Sequence, residues 1–288
     1  GFGGFTSAAF IAAGALLGVP VVLHEANRVP GRAVRVLGRF AHRVYLPPGV
    51  TLPGAREGAV RAVGLPVRRE FRREPAGEAR KELGLETDMP VVAVLGGSQG
   101  ASVLNDWARR EMPALAAVGV QIYCLTGLGK GAPESHSLRS GAGERVNAVF
   151  AAFSDHMSRV MSAADLVVSR AGAGTLAELA RVGTPAVLIP YPQAADNHQA
   201  ANAEAFAREG CGSVIPQDRL DELTAAVLGL LADVEKRALQ REQLGRLETD
   251  HATERAVHVQ DAALLVPGAQ PDGGGVLHRA AQRHLRLQ

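Results

Sequence analysis

The sequence predicts an α/β protein with parallel β-sheets, and three observations support that prediction. Of the 288 residues, 47% are hydrophobic but only 4% are aromatic, a composition that suits α/β layers better than a β-sandwich. From Val91 onward, short runs of Val, Leu and Ile alternate with helical patterns, as in a parallel sheet that is covered on both faces. Several predicted strands end in glycine-rich turns.

The N-terminal part begins with 23 residues that carry no charge. Gly14 and Pro20 interrupt this apolar run, so we predict a buried helix at 8–17 and a buried strand at 20–24 rather than a membrane span. Residues 31–44 are predicted to form a basic amphipathic helix. At 100° per residue, its four arginines and the preceding Arg28 fall within an arc of about 80°. The four are Arg32, Arg35, Arg39 and Arg43.

The net charge of +2 hides an uneven distribution. Residues 1–80 hold 12 Arg and no Lys against five acidic residues, which gives +7 and leaves −5 for the rest of the chain. A basic segment of this kind is typical of contact with an anionic surface or substrate. The basic helix therefore has two interpretations, a membrane-docking face or a solvated face.

The remaining elements follow from apolar periodicity. Residues 46–90, rich in Pro, Gly and charge, are predicted to connect two domains, and residues 266–288 to form a tail. Cys124 and Cys211 lie in apolar runs and are predicted to be buried thiols of a reducing compartment. The predicted strands are 91–95, 120–125, 146–150, 165–169, 186–189 and 212–215, and the predicted helices are 101–117, 155–163, 174–182, 199–208 and 219–231.

Two glycine-rich turns lie between a strand and a helix. Gly96–Ala101 contains Ser98 and Gln99, and Arg170–Thr175 precedes Glu178, which is predicted to lie in the first turn of its helix. Backbone N–H groups and the helix dipole at such turns favour a phosphate, although a tight turn that binds nothing has the same pattern. Glu178 has two interpretations: an acceptor of hydrogen bonds from ribose hydroxyls, or a first-turn acid that the helix dipole stabilises.

Two polar segments also follow strands. The loop Pro190–Gln199 carries Asp196, Asn197 and His198 beside Gln199, which together supply the donors and acceptors that sugar hydroxyls need; the alternative is a loop that caps the next helix. The other segment, His24–Asn27, lacks the second histidine of a metalloprotease helix.

Six segments in this order resemble the MurG family of glycosyltransferases: GFGGFTS, PVVLHEAN, VGLPVR, LGGSQGASVLND, SRAGAGTLAEL and DNHQAANA. The resemblance covers about residues 1–260. It implies a GT-B fold of two Rossmann-like domains. The N-terminal one would be incomplete at 1–65, a linker and the start of the second domain would span 66–90, and the UDP-sugar-binding domain would span 91–265.

The resemblance also implies substrates and site residues. UDP-N-acetylglucosamine (UDP-GlcNAc) would be the donor and a lipid-linked MurNAc-pentapeptide the acceptor, with inversion at the sugar and with neither a cofactor nor an obligatory metal. The implied donor-site residues are Asn27, Arg68, Ser98, Gln99, Ser154, Gly172, Ala173, Gly174, Thr175, Leu176, Ala177, Glu178, His198 and Gln199. No general base is assigned, and His24 and Glu25 are possible assistants only.

Within the family, a strand and a GGTGGH-type loop precede the segment with which this chain starts, so we expect part of the acceptor side to be missing. The implied location is the cytoplasmic face of the bacterial membrane, as a peripheral protein with an anionic lipid surface and no nucleic acid as partner. Two alternatives stay open: a UDP-sugar transferase that acts on another lipid, and a nucleotide-sugar-binding module without activity.

Overall fold

The computed structural model describes residues 5–69, 71–97 and 100–247. These residues form two compact units. Unit 1 contains residues 5–25 and 32–64, and unit 2 contains residues 26–31 and 65–247. Within these described residues, the chain passes from one unit to the other after residues 25, 31 and 64.

Unit 1 is built on a three-stranded parallel sheet in the order β1-β2-β3. Its strands are β1 (Val22–His24), β2 (Arg43–Leu46) and β3 (Val60–Ala62), and its helices are α1 (Phe5–Leu16) and α2 (Arg32–Leu37). A small core lies between sheet and helices, and its larger members are Ile11, Leu23, Val34, Val44, Leu46 and Leu52.

The predicted helix 31–44 is wrong, because α2 ends at Leu37 and β2 begins at Arg43. Two hydrogen bonds tie His42 to Val21: His42 N donates to the Val21 carbonyl at 2.8 Å, and Val21 N donates to His42 Nδ1 at 3.0 Å. Pairing with β1 thus overrides the helical periodicity. Consequently the five arginines do not share one helix face, since Arg43 lies on a strand and Arg28 precedes the helix.

The prediction that α1 is a buried helix is also wrong. Among its described side chains, residues 8–16, only Ile11 is buried. Phe10 and Leu16 are 82% and 88% exposed. The uniformly apolar sequence of α1 concealed which side faces the core.

Unit 2 contains a seven-stranded sheet in the order β10-β9-β8-β4-β5-β7-β6, in which all neighbours are parallel except β6 and β7. The strands are β4 (Val91–Leu95), β5 (Gln121–Leu125), β6 (Glu134–Arg139), β7 (Arg145–Ala151), β8 (Leu166–Ser169), β9 (Ala186–Leu188) and β10 (Gly212–Val214). The helices are α3 (Ala76–Glu82), α4 (Ser102–Ala117), α5 (Met157–Ala163), α6 (Ala173–Val182), α7 (His198–Arg208) and α8 (Leu223–Ala232), followed by helical residues 234–247.

Each element predicted between residues 91 and 231 is present, with ends that differ by at most four residues. The sequence-based prediction missed β3 and α3 within 46–90, and it missed β6. The sequence of β6, ESHSLR, is polar because this antiparallel strand lies at the edge of the sheet, where no second neighbour covers it.

Two apolar layers cover the two faces of the sheet. Val91, Ala93 and Leu95 of β4 face one layer, whereas Val92 and Val94 face the other, as the alternation of side chains along a strand requires. The prediction that the two cysteines are buried is confirmed. Burial raises the pKa of each thiol, at Cys124 and at Cys211, to about 12.

We predict that Asp165→Ala lowers the free energy of unfolding by about 3 kcal/mol. Asp165 Oδ2 accepts from Arg80 Nη2 at 2.8 Å and from Val91 N at 2.9 Å. The Arg80 side chain is only 11% exposed, so the variant leaves a nearly buried cation without its carboxylate. Urea denaturation measures the loss. As a control, Glu242→Ala removes an exposed ion pair with Arg246 and should cost less than about 0.5 kcal/mol; equal losses would contradict the prediction.

Candidate functional site

The carboxyl ends of five parallel strands are aligned along one edge of the unit 2 sheet. Leu95 of β4 lies opposite Leu125 of β5 on one side and Ser169 of β8 on the other. Beyond them, Leu125 lies opposite Ala151 of β7, and Ser169 lies opposite Leu188 of β9. The loops that follow these residues therefore start side by side, at the edge where open α/β sheets bind ligands.

A cavity of about 290 Å³ opens at this edge, close to the lower end of the usual range for small-molecule sites. It brings together four of the implied donor-site residues, Arg68, Ser154, Thr175 and Glu178. Ser98 and Gln99 lie outside the described residues. The full lining is Arg68, Leu95, Gly96, Gly97, Leu125, Gly127, Ala152, Phe153, Ser154, Asp155, Met157, Thr175 and Glu178.

In the turn between β4 and α4, close contacts require glycine at two positions, and a positive φ favours glycine at a third, Gly97. A Cβ on Gly96 would lie 2.1 Å from Ala101 N, and a Cβ on Gly100, whose φ is +65°, would lie 2.1 Å from the Thr126 carbonyl oxygen. Gly97, with φ +79°, has open space beside its α-carbon and lines the cavity. The tightness of the turn thus accounts for Gly96 and Gly100 without any ligand.

The turn before α6 differs, because no contact among the described residues requires its glycines. Gly172 has φ −68° and ψ 139°, which any residue adopts. A Cβ on Gly172 would come no closer than 4.0 Å to the Thr175 hydroxyl, and one on Gly174 would have nothing within 4 Å. The backbone at the start of α6 is therefore open to a close approach by another molecule, and such helix starts attract anions.

Glu178 lies in the second turn of α6, since the helix begins at Ala173. The predicted first-turn position is therefore wrong, and the helix dipole gives little reason for an acid there. Its carboxyl group is partly buried at the cavity. Burial raises its pKa above the usual 4.5, and the nearby Arg68 guanidinium opposes that rise. An acceptor kept partly out of water is suited to bind hydroxyl groups of a ligand.

Part of the cavity lining is apolar. Phe153, one of the few aromatic residues of the chain, is 56% exposed. It lines the cavity together with Leu125 and Met157. Ser154 shapes the turn, because its hydroxyl oxygen accepts from His156 N at 3.1 Å. A cavity lined by apolar side chains and a carboxylate fits a molecule with a flat ring and hydroxyl groups.

Arg170 organises the neighbouring loop. It is 8% exposed, and its Nη1 donates to the Ile189 and Pro190 carbonyls at 3.1 and 3.3 Å. Its Nη2 donates to Gln217 Oε1 at 2.7 Å, and its guanidinium lies 5.3 Å from the Tyr191 ring centre. Burial lowers the pKa of Arg170, which Tyr191 opposes. One side chain thus joins the ends of β8 and β9.

His198 and Gln199 lie at the start of α7, at the end of this loop. Asp196 and Asn197 have φ of 51° and 54°, a left-handed conformation that is uncommon outside glycine. Gln199 Oε1 accepts from Tyr191 N at 2.9 Å, and His198 Nδ1 lies 2.8 Å from the Ala195 carbonyl oxygen. Both residues therefore stabilise the loop, and neither lines the cavity.

The remaining predicted residues belong to different units. Asn27 is part of unit 2, where its Oδ1 accepts from Asn202 Nδ2 at 3.1 Å. His24 and Glu25 belong to unit 1, at the end of β1, and Glu25 is 8% exposed. Asn27 is thus held against α7 of its own unit.

A larger polar cavity of about 630 Å³ adjoins the first and shares Arg68, Asp155 and Met157 with it. One wall is held by Arg159, whose Nε donates to Glu74 Oε2 at 2.9 Å and which also pairs with Glu82. The hydrogen bond with Glu74 raises the pKa of Arg159. These pairs connect α5 to α3 and the segment before it, which is a structural role.

The described ranges contain neither a metal-ion cluster nor a membrane-spanning helix. Residues 5–69, 71–97 and 100–247 contain no group of three or more His, Cys, Asp or Glu side chains that could hold a metal ion. In the same part of the chain, no helix has both the length and the apolar character needed to cross a membrane.

Two family models match the chain. Residues 91–256 match the glycosyltransferase family 28 C-terminal domain, and residues 1–46 match the glycosyltransferase family 28 N-terminal domain. The first match alone covers more than half of the chain.

Named relatives share one description, UDP-N-acetylglucosamine--N-acetylmuramyl-(pentapeptide) pyrophosphoryl-undecaprenol N-acetylglucosamine transferase. The protein from Opitutus terrae is 53% identical over 257 residues, which are 89% of this chain and 68% of the relative. That from Clavibacter michiganensis is 40% identical over 93% of this chain and 71% of its own length. The protein from Synechococcus elongatus is 39% identical over 80% of this chain and 62% of its own length.

Solved structures agree in fold. The Acinetobacter baumannii MurG crystal structure aligns with 90% of this chain and 71% of its own, with a TM-score of 0.65 and 27% identity. The structure of Anabaena HepE in complex with UDP and glucose aligns with 89% of this chain and 76% of its own, with a TM-score of 0.59 and 16% identity. The expected GT-B fold is thereby confirmed.

We predict that Glu178→Gln raises the free energy of unfolding at neutral pH. Because the pKa of Glu178 is raised in the folded state, ionisation there opposes folding. The gain should shrink as the pH falls, since the wild-type carboxyl group then becomes neutral. Urea denaturation at several pH values measures this. The control Glu235→Gln changes an exposed carboxyl group and should show no such pH dependence; a gain that persists unchanged in acid would contradict the prediction.

Proposed function

Because the chain belongs to the family of the UDP-N-acetylglucosamine--N-acetylmuramyl-(pentapeptide) pyrophosphoryl-undecaprenol N-acetylglucosamine transferases, we propose that unit 2 binds UDP-GlcNAc. The protein would transfer N-acetylglucosamine to the lipid-linked MurNAc-pentapeptide. The relatives extend beyond this chain, which spans 62–71% of the three described above. We therefore assign the donor site in detail and the acceptor site only by family.

The observation that carries the proposal is the partly buried carboxyl group of Glu178, which lines a cavity at the strand ends together with apolar side chains. In our assignment the uracil ring lies against Phe153. Backbone groups around Ser154 recognise its edge, and the ribose hydroxyls donate to Glu178. Because Ser154 already uses its hydroxyl oxygen within the turn, base recognition does not depend on that side chain.

The diphosphate would lie over the start of α6. The open backbone at Gly172 and Gly174 leaves room for phosphate oxygens. The N–H groups of residues 173–175, which precede the first intrahelical hydrogen bond from Leu176 N to the Gly172 carbonyl, would point at them. Arg68 supplies a positive charge at the same cavity. We place Ser98 and Gln99 on the same diphosphate by family resemblance.

The transferred sugar would lie towards α7, where Asn27, His198 and Gln199 are assigned to its hydroxyl groups. In the reaction, an acceptor hydroxyl oxygen forms a bond to the anomeric carbon while the bond from that carbon to the UDP oxygen breaks, which inverts the centre. The hydroxyl proton passes to a base that we do not assign; His24 and Glu25 stay candidates. Groups aimed at the charge that develops on UDP would lower the barrier.

Unit 1 offers a surface for the lipid side of the reaction. Arg32, Arg35 and Arg39 are exposed beside Val36 and Phe40, which are 53% and 49% exposed. We propose that this surface, the arginine patch, docks on the anionic cytoplasmic leaflet. Exposed arginines contribute about 1 kcal/mol each near such a membrane, and the apolar side chains add contact with the lipid interface.

We predict that the chain binds UDP and that Gly174→Val abolishes binding without loss of stability. A Cβ at position 174 has nothing within 4 Å, and the valine side chain would occupy the position assigned to the diphosphate. Calorimetry measures UDP affinity, and thermal denaturation measures stability. Glu178→Gln should weaken UDP binding about tenfold through the ribose, and Glu235→Gln should leave it unchanged. Absence of UDP binding by the unmodified chain would refute the donor site.

A transfer assay separates an enzyme from a binding module. Radiolabelled UDP-GlcNAc and a lipid-linked MurNAc-pentapeptide acceptor are incubated with the chain, and incorporation into lipid is counted. Incorporation supports the transferase. UDP-GlcNAc binding without incorporation supports a binding module.

We predict that reversal of charge in the arginine patch, with Arg32, Arg35 and Arg39 all changed to Glu, weakens binding to phosphatidylglycerol vesicles by about 100-fold or more. Vesicle sedimentation measures the bound fraction, with phosphatidylcholine vesicles as reference. A control variant reverses three exposed arginines of unit 2, Arg110, Arg145 and Arg246. Equal loss in both variants would mean that net charge alone acts, and the docking surface would be wrong.

A further inference from the structure

Asn202, on α7, is a buried residue whose amide group makes three hydrogen bonds. Only 4% of it is exposed. Its Oδ1 accepts from Arg28 N at 2.9 Å, and its Nδ2 donates to Asn27 Oδ1 at 3.1 Å and to the Ala171 carbonyl at 3.2 Å. All four residues belong to unit 2, although more than 140 positions separate Asn27 from Ala171 in the chain.

This arrangement is specific for an asparagine. The site offers one backbone donor and two oxygen acceptors, which an amide of this length matches with one oxygen and two N–H groups. An aspartate would keep the bond from Arg28 N but would place an oxygen against two oxygens. An aliphatic side chain would leave all three polar groups without this hydrogen-bond partner, and burying them in that state costs free energy of folding.

The consequence for Asn27 is a defined orientation. Because Asn27 Oδ1 accepts from Asn202, the Asn27 amide can turn neither end for end nor away from α7 without losing that bond. The same Asn202 amide holds the carbonyl of Ala171, directly before the open glycine turn at Gly172. One buried group thus sets the position of Asn27 relative to the start of α6.

We propose that Asn202 is a positioning residue for the transferred sugar, acting through Asn27, whose amide it orients. The proposal rests on the donor site proposed above, in which Asn27 contacts the sugar of UDP-GlcNAc. Asn202 itself touches neither sugar nor nucleotide in this scheme. Its loss should therefore change the discrimination between UDP-GlcNAc and UDP.

A structural role predicts a different result. Gln121 provides the comparison, because it is a fully buried amide with the same pattern of bonds. Its Oε1 accepts from Glu86 N, and its Nε2 donates to the Glu86 and Met89 carbonyls. It starts β5, at the end of the strand away from the cavity. Gln121→Glu therefore imposes a similar chemical loss without a path to the sugar.

The experiment measures the affinities of UDP and UDP-GlcNAc by calorimetry for the 288-residue chain and its variants. We expect Asn202→Asp to weaken UDP-GlcNAc about tenfold relative to UDP. Gln121→Glu should lower the melting temperature but leave the ratio of the two affinities unchanged. Asn202→Ala serves as a second variant in case a buried carboxylate prevents folding, and thermal denaturation verifies that each variant is folded.

A double-variant cycle tests whether Asn202 acts through Asn27. Because a positioning residue has no effect once its target is removed, Asn27→Ala combined with Asn202→Asp should bind UDP-GlcNAc within about twofold of the weaker single variant. Additive losses, or an unchanged ratio of affinities in folded Asn202 variants, would overturn the inference alone. Failure of the unmodified chain to bind either ligand would overturn the donor site and the inference with it.

Discussion

The strand register of unit 2 is the constraint on which the proposed site depends. Leu188, Ser169, Leu95, Leu125 and Ala151 are paired in a row across the sheet, so five strands end on one line. Only parallel pairing does this, because antiparallel neighbours present alternate ends at an edge. A shift of one residue in any strand would exchange its two buried faces, and two filled apolar layers oppose such a shift.

Buried polar groups then determine the shape of the loops that leave this edge. Arg170 and Asn202 act in the same way: each places several donors against carbonyl groups from distant parts of the chain. Such groups are costly to bury unless every bond is made, so they restrict the loops to few arrangements. Glu178 is the contrasting case, since its burial raises its pKa. This unfavourable burial supports the ligand-binding role that we propose for Glu178.

The periodicity of the sequence predicted unit 2 well and unit 1 poorly. In unit 2, runs such as VVAVL at β4 are long and separated by glycine turns, so strand and helix differ clearly. In unit 1, helical spacing of arginines continued through Arg43, but bonds between His42 and Val21 draw that segment into the sheet. Likewise ESHSLR became a strand because β7 accepts it as an edge neighbour, which its own composition does not favour.

The sequence by itself determined the fold class, the order of motifs and the family, because these depend on local pattern and on segments read in order. Of the candidate site, Glu178, Thr175, Ser154 and Arg68 were predicted and do meet at one cavity. Only the tertiary structure decided that Phe153 lines the cavity together with Leu125, that Gly174 has free space while Gly96 has none, and that Asn202 holds Asn27. The physical reason is that these properties depend on distances between residues far apart in the chain, which no local pattern records.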